Sequence, residues 1–94
     1  MSKQIKFVSD AEKEIEYIIK MDKRMLAKIT KLIEDIQING YQGIGHPEPL
    51  KNRLSGYYSR EIDRKNRLIY IIKEDSIIII KCLGHYFDKW KVTI

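Results

Sequence analysis

The apolar residues of this 94-residue chain change their period partway along, and that change limits what the chain can fold into. Met25, Leu26, Ile29, Leu32, Ile33 and Ile36 recur at helical spacing, the stripe of a helix that buries one face. From Tyr57 the pattern becomes that of strands. Tyr57 to Asp63 alternates, with Tyr58, Arg60 and Ile62 on one face and Tyr57, Ser59 and Glu61 on the other. Ser76 to Leu83 is a largely apolar run suited to an interior strand. Helices followed by strands predict an α+β domain, with a mainly antiparallel sheet and a helical pair packed on one face.

The punctuation supports that division. Ile5 to Val8 reads as an opening strand, and Ser9 with Glu12 has the spacing of a capping box. Ile15, Ile18 and Ile19 would then form the buried stripe of a first helix. Asp22 is placed to cap the second helix, and Asn39-Gly40 to stop it. Residues 41–52 have two glycines, two prolines and no periodicity, and are expected to be a loop. Asp63 to Asn66 makes a turn into a strand from Arg67 to Lys73, and Glu74-Asp75 makes the next turn. The predicted order is β-α-α-β-β-β.

Size and composition exclude much else. The chain is long enough for one core and too short for two. Eighteen Lys and Arg against thirteen Asp and Glu leave a net charge of +5. Such an excess suits a polyanionic partner, although lysines also keep a small protein in solution. Lys20, Lys23, Arg24, Lys28 and Lys31 decorate the helices, as a solvated face or as a docking surface for RNA or the ribosome. A single cysteine excludes an internal disulfide, and Cys82, ending an apolar run, is expected to be a buried thiol. No signal-peptide apolar core follows Met1-Ser2-Lys3-Gln4, and Ile77 to Ile80 is too short to span a bilayer, so a cytoplasmic protein without membrane association is expected.

Three short segments carry the chemistry: Gly45 to Lys51, Asn66 to Tyr70, and Gly84-His85-Tyr86. They hold a carboxylate, a guanidinium, an imidazole and a phenol, which together meet the needs of metal-free RNA cleavage. Glu48, between two prolines that restrict its backbone, is the candidate base. Arg67, just after a turn, is the candidate phosphate clamp. His85 is the candidate acid. Tyr86 would stack on a base or assist the leaving oxygen, with Lys51 and Arg60 as further phosphate contacts. Each residue also has a plainer reading: Glu48 as a solvated loop carboxylate, Arg67 paired with Glu61 across the hairpin, His85 hydrogen-bonded at a strand end, Tyr86 in the core. No cofactor or metal is expected, because His46, Cys82 and His85 lack zinc-site spacing and no Gly-rich phosphate loop precedes a helix.

The ordered series Pro47-Glu48-Pro49-Leu50-Lys51, Leu54-Ser55-Gly56-Tyr57-Tyr58-Ser59-Arg60, Arg67-Leu68-Ile69-Tyr70 and His85-Tyr86 closely resembles the YoeB (Txe) toxins of bacterial toxin–antitoxin pairs, within the RelE/ParE superfamily. The likeness runs from about the first strand to Tyr86. It implies a toxin domain over residues 1–86 with an extension at 87–94, and a RelE-like, microbial-RNase-like fold. It further implies an endoribonuclease that cuts mRNA on the translating ribosome, with Glu48 as base, Arg67 as phosphate stabiliser, His85 as acid and Tyr86 orienting the substrate. The partners implied are a cognate YefM-type antitoxin and, as an option, a second copy of the chain. Operator DNA would be bound only by the toxin–antitoxin complex. Three features depart from the family pattern: Glu61 where a second basic residue often follows the position of Arg60, Leu83 where a basic residue is common, and the tail from Phe87 to Ile94. A non-enzymatic ParE-type gyrase poison and a basic nucleic-acid-binding module are the alternative readings.

Overall fold

The computed structural model describes residues 2–84. Its elements are β1 (Gln4–Phe7), α1 (Ser9–Met21), α2 (Lys23–Asn39), β2 (Glu48–Pro49), a 3-10 turn (Asn52–Leu54), β3 (Tyr58–Glu61), β4 (Arg67–Ile72) and β5 (Ser76–Lys81). The five strands lie in the order β1-β5-β4-β3-β2. Only the β1–β5 pair is parallel; the other three are antiparallel. This is the expected α+β arrangement with one strand more. Glu48 and Pro49 leave the predicted loop to pair with Ser59 and Tyr58 at the sheet edge. A proline is tolerated at an edge, and a two-residue strand is too short for its pattern to show.

The helix junction follows the sequence closely. The Asp22 side chain accepts from Met25 N at 3.0 Å, so one residue ends α1 and caps α2. Gly40, at φ 67°, ends α2. The start of α1 differs from expectation. Its N-cap is Val8, with no side-chain cap, and Ser9 is already helical. Val8 N donates to Ile79 O at 3.0 Å, so the chain stays tied to the sheet until the residue before the helix. Asp10 and Glu12 in the first turn complement the helix dipole instead.

Between helices and sheet lies the main core, with Ala11 and Ile18 of α1, Met25, Ile29, Leu32 and Ile36 of α2, and Leu68, Tyr70, Ile77 and Ile79 of β4 and β5. Each fully buried Ile or Leu there contributes about 1.5–3 kcal/mol. Ile19 is not among them: 52% exposed, it lies on the flank of α1, where it lines a shallow surface groove with Leu26, Ala27 and Thr30 of α2. The actual stripe of α1 is Ala11, Ile15 and Ile18. On the other face of the sheet, Leu50, Leu54 and Ile69 form a smaller cluster with Tyr57 and Ile80. That cluster seats the chain just after Glu48 against β4. No helix among the described residues is long and apolar enough to cross a membrane.

The end of β5 is held from α1. The register shifts between Ile69/Lys81 and Tyr70/Ile79, leaving Ile80 as an extra residue. Beyond it, Lys81 Nζ donates to Glu14 Oε2 at 3.0 Å, while Cys82 N and Leu83 N donate to Glu14 Oε1 at 2.7 and 3.1 Å. One carboxylate therefore satisfies a buried ammonium and two backbone amides just beyond the last residue of β5.

Candidate active site

Arg67 opens β4 directly after a tight turn. Asp63 Oδ1 accepts from Lys65 N and Asn66 N, so the turn closes on its own side chain. The Cα partner of Arg67 is Glu61, yet its guanidinium reaches diagonally. Nε donates to Ser59 Oγ at 3.0 Å and Nη2 to His46 O at 3.3 Å. Ser59 lies opposite Ile69, two residues along β4 from Arg67, and alternation puts it on the face that Arg67 shares. Ser59 is also the partner of Glu48 across the β2–β3 pair. The result is a convergence: Arg67 Nη2 stands 3.7 Å from Glu48 Oε1. That separation is an ion pair, longer than a direct hydrogen bond.

The two side chains differ in setting. The Arg67 side chain is 12% exposed and that of Glu48 49%, so a mostly sheathed cation faces an open carboxylate. Pro47 and Pro49 flank Glu48, and the preceding His46 is exposed at φ 51°. The left-handed backbone at His46 turns its carbonyl toward Arg67.

A third segment joins them. Arg67 N donates to Gly84 O at 3.1 Å, and Gly84 N donates to Asn66 Oδ1 at 2.7 Å. Gly84 is thus fastened to the start of β4, at φ 90°. His85 and Tyr86, the expected acid and its neighbour, lie outside the described residues. Lys51 is exposed at the entrance of the 3-10 turn, three residues past Glu48.

Arg60 requires a correction. Expected as a phosphate contact, it is fully buried, and its guanidinium is enclosed by Asp35, Tyr70 and the carbonyls of Gly40, Gln42 and Ile44. Alternation along β3 sends Ser59 toward Arg67 and Arg60 toward the helices. The hydrogen bond from Arg60 holds the Asp35 carboxyl below its usual range. Desolvation pushes the Tyr70 phenol up.

Sequence reasoning also passed over Ser59, Asn66, Asp35 and Tyr41. Tyr41 stacks on Tyr58 with ring centroids 4.0 Å apart, and its hydroxyl accepts from Ile72 N. The diagonal relation of Ser59 to Arg67 was available from the hairpin register. Nothing local distinguishes Asp35 or Tyr41 from other polar residues near a helix end.

Comparison with known proteins places the whole fold in one family. Residues 7–86 match the family model of YoeB-like toxins of bacterial type II toxin–antitoxin systems. Toxin YoeB of Escherichia coli K12 is 46% identical over 65 residues, covering 69% of this chain and 77% of that protein. Toxin YoeB of Mycobacterium bovis is 38% identical over 84 residues, covering 89% and 99%. Among solved structures, the YoeB dimer from Staphylococcus aureus superposes with a TM-score of 0.86 at 40% identity, over 92% of this chain and all of that one. The YoeB–YefM heterotetramer from the same organism gives 0.85 at 40% identity, over 92% and 100%. YafQ of E. coli, 18% identical with a TM-score of 0.71, shares the fold. The chain belongs to the YoeB-like toxins of bacterial type II toxin–antitoxin systems.

Proposed function

We propose that this toxin is a metal-independent endoribonuclease that cuts mRNA on the translating ribosome. The observation that carries the reading is the facing of Glu48 and Arg67 beside the fastened Gly84, the residue that His85 follows in sequence. Glu48 removes the proton of a ribose 2′-hydroxyl, and the freed oxygen attacks the adjacent phosphorus. Arg67, already oriented by Ser59 and His46, stabilises the charge that gathers on the phosphorane. His85 protonates the departing 5′-oxygen as the P–O bond breaks. The products are a 2′,3′-cyclic phosphate and a free 5′-hydroxyl, so every proton and bond is accounted for without an external reactant. Tyr86 orients or stacks on the substrate, and the exposed Lys51 supplies a further phosphate contact.

In the cell, a YefM-type antitoxin would neutralise the toxin, as the partner named in the staphylococcal complexes suggests. A homodimer is proposed on the likeness to the staphylococcal YoeB dimer. Mapping 5′ ends of messages in a translating extract tests the activity. Wild type should give new ends on ribosome-bound message, and Glu48→Gln and His85→Ala should not. Equal cleavage by both variants rules out this mechanism, and intact message with broken DNA would favour a ParE-type gyrase poison.

A further inference from the structure

The geometry points to Arg60 as the positioning residue of this site, a buried fork that sets the path of residues 40–46 and through them the carboxylate of Glu48. The inference rests on the reading of Glu48 as the base. A guanidinium has five N–H donors. Here Nε donates to Tyr70 Oη at 3.0 Å, and Nη1 to Asp35 Oδ2 at 2.5 Å and Ile44 O at 3.1 Å. Nη2 donates to Gly40 O and Gln42 O, both at 2.8 Å. Five donors meet five acceptors, three of them carbonyls of one loop.

That loop has no ladder of its own between α2 and β2, so the carbonyls it turns toward the buried Arg60 need donors from elsewhere. Other ties converge on the same stretch. Ile44 N donates to Asp35 Oδ2 at 3.1 Å, and Glu61 N to Gly45 O at 2.6 Å. Gly43 and Gly45 both have positive φ, and a Cβ on either would collide, with Asp35 and with Leu32 respectively. One backbone path is therefore enforced up to His46, whose carbonyl meets Arg67, and to Glu48, in register with Ser59. Arg60 and Ser59 are adjacent on β3, so a single strand holds the loop with one face and the Arg67 clamp with the other.

Arg60→Lys keeps the charge toward Asp35 and loses the planar fork, since the three donors of an ammonium cannot serve five separated acceptors. Two measurements on the full-length toxin test the proposal. Amide hydrogen exchange should quicken by about tenfold or more in residues 40–48 while the core of α2, β4 and β5 stays protected. Single-turnover cleavage of ribosome-bound message should fall by about 10- to 100-fold at nearly unchanged KM in the wild-type background. With Glu48→Gln already present, the same replacement should cost less than about twofold, because the group it positions is gone. Unchanged loop exchange overturns the proposal whatever the activity, and so does an equal cost in both backgrounds. Full activity of Glu48→Gln alone sinks the catalytic reading of Glu48, a separate failure that the exchange data distinguish. Should Arg60→Lys not fold, Arg60→Gln, which keeps a planar donor and loses the reach of the fork, carries the same two readouts.

Discussion

Arg67 and Glu48 meet across three strands of one sheet edge, their nearest atoms 3.7 Å apart, although 19 positions separate them in the chain. Ser59 joins the two, accepting from Arg67 Nε and pairing with Glu48 across the β2–β3 ladder. The cation is sheathed and the carboxylate half-exposed, and in the proposed mechanism a substrate phosphate would approach Arg67 from the side on which Glu48 would receive a proton. Glu48→Gln should lower single-turnover cleavage of ribosome-bound message by about 10²–10⁴-fold, and Arg67→Ala by about 10²–10³-fold. Glu48→Gln should leave stability within about 1 kcal/mol, since an ion pair with a half-exposed partner contributes little. Arg67→Ala, which also removes the hydrogen bonds to Ser59 and His46, should cost about 1–3 kcal/mol and still leave a folded protein. Loss of activity matched by loss of the folded state in thermal melts would contradict this division.

Glu14 should matter for stability rather than for the charge of the surface. Replacing it by alanine strands the Lys81 ammonium and the amides of Cys82 and Leu83. The expected cost is about 3–5 kcal/mol in urea unfolding. Glu14→Gln retains an acceptor for the amides and should cost less. A loss below about 1 kcal/mol for the alanine variant would show that water reaches these groups.

The Asp35 carboxyl is lowered from 3.8, chiefly by the hydrogen bond from Arg60. A lowered folded value means that the folded state binds the proton less readily than the unfolded one. The stabilisation is therefore complete above the unfolded value and fades as pH falls through the lowered folded one. Thermal melts between about pH 5 and about pH 2 should show a steeper acid limb in wild type than in Asp35→Asn. Parallel limbs would mean that Asp35 is protonated in the fold as easily as in the unfolded chain.

Cys82 is wholly buried against α1, and burial pushes its thiol up to about 12. At pH 8 the reactive thiolate is scarce and shielded. The native protein should resist thiol reagents and label stoichiometrically only in denaturant. Rapid labelling of the folded protein would place the end of β5 closer to solvent than it is here.

Much of the frame was legible because periodicity and caps are local. Asp22 does cap α2, Gly40 does end it, and the turn at Asp63–Asn66 does join two strands. The same logic failed where a residue belongs to two patterns. Ser9 fits a cap by spacing, but Val8, tied to Ile79, takes the cap position and the helix starts one residue earlier. Ile19 fits a stripe by hydrophobicity, but its angle on α1 carries it past the core.

The sequence by itself determined the order of elements, the face each helix buries and the chemical types available to the site, because these depend on residues a few positions apart. Only the tertiary structure decided what Arg60 and Arg67 do. Each is an arginine on a strand near a turn, and each fork would fit a phosphate equally well. Arg67 faces Ser59 and the open carboxylate of Glu48, whereas Arg60, on the opposite face of β3, is enclosed by Asp35 and loop carbonyls. The hairpin register places Ser59 beside Arg67, but the remaining acceptors of both forks come from segments distant in the chain, and no local pattern encodes them.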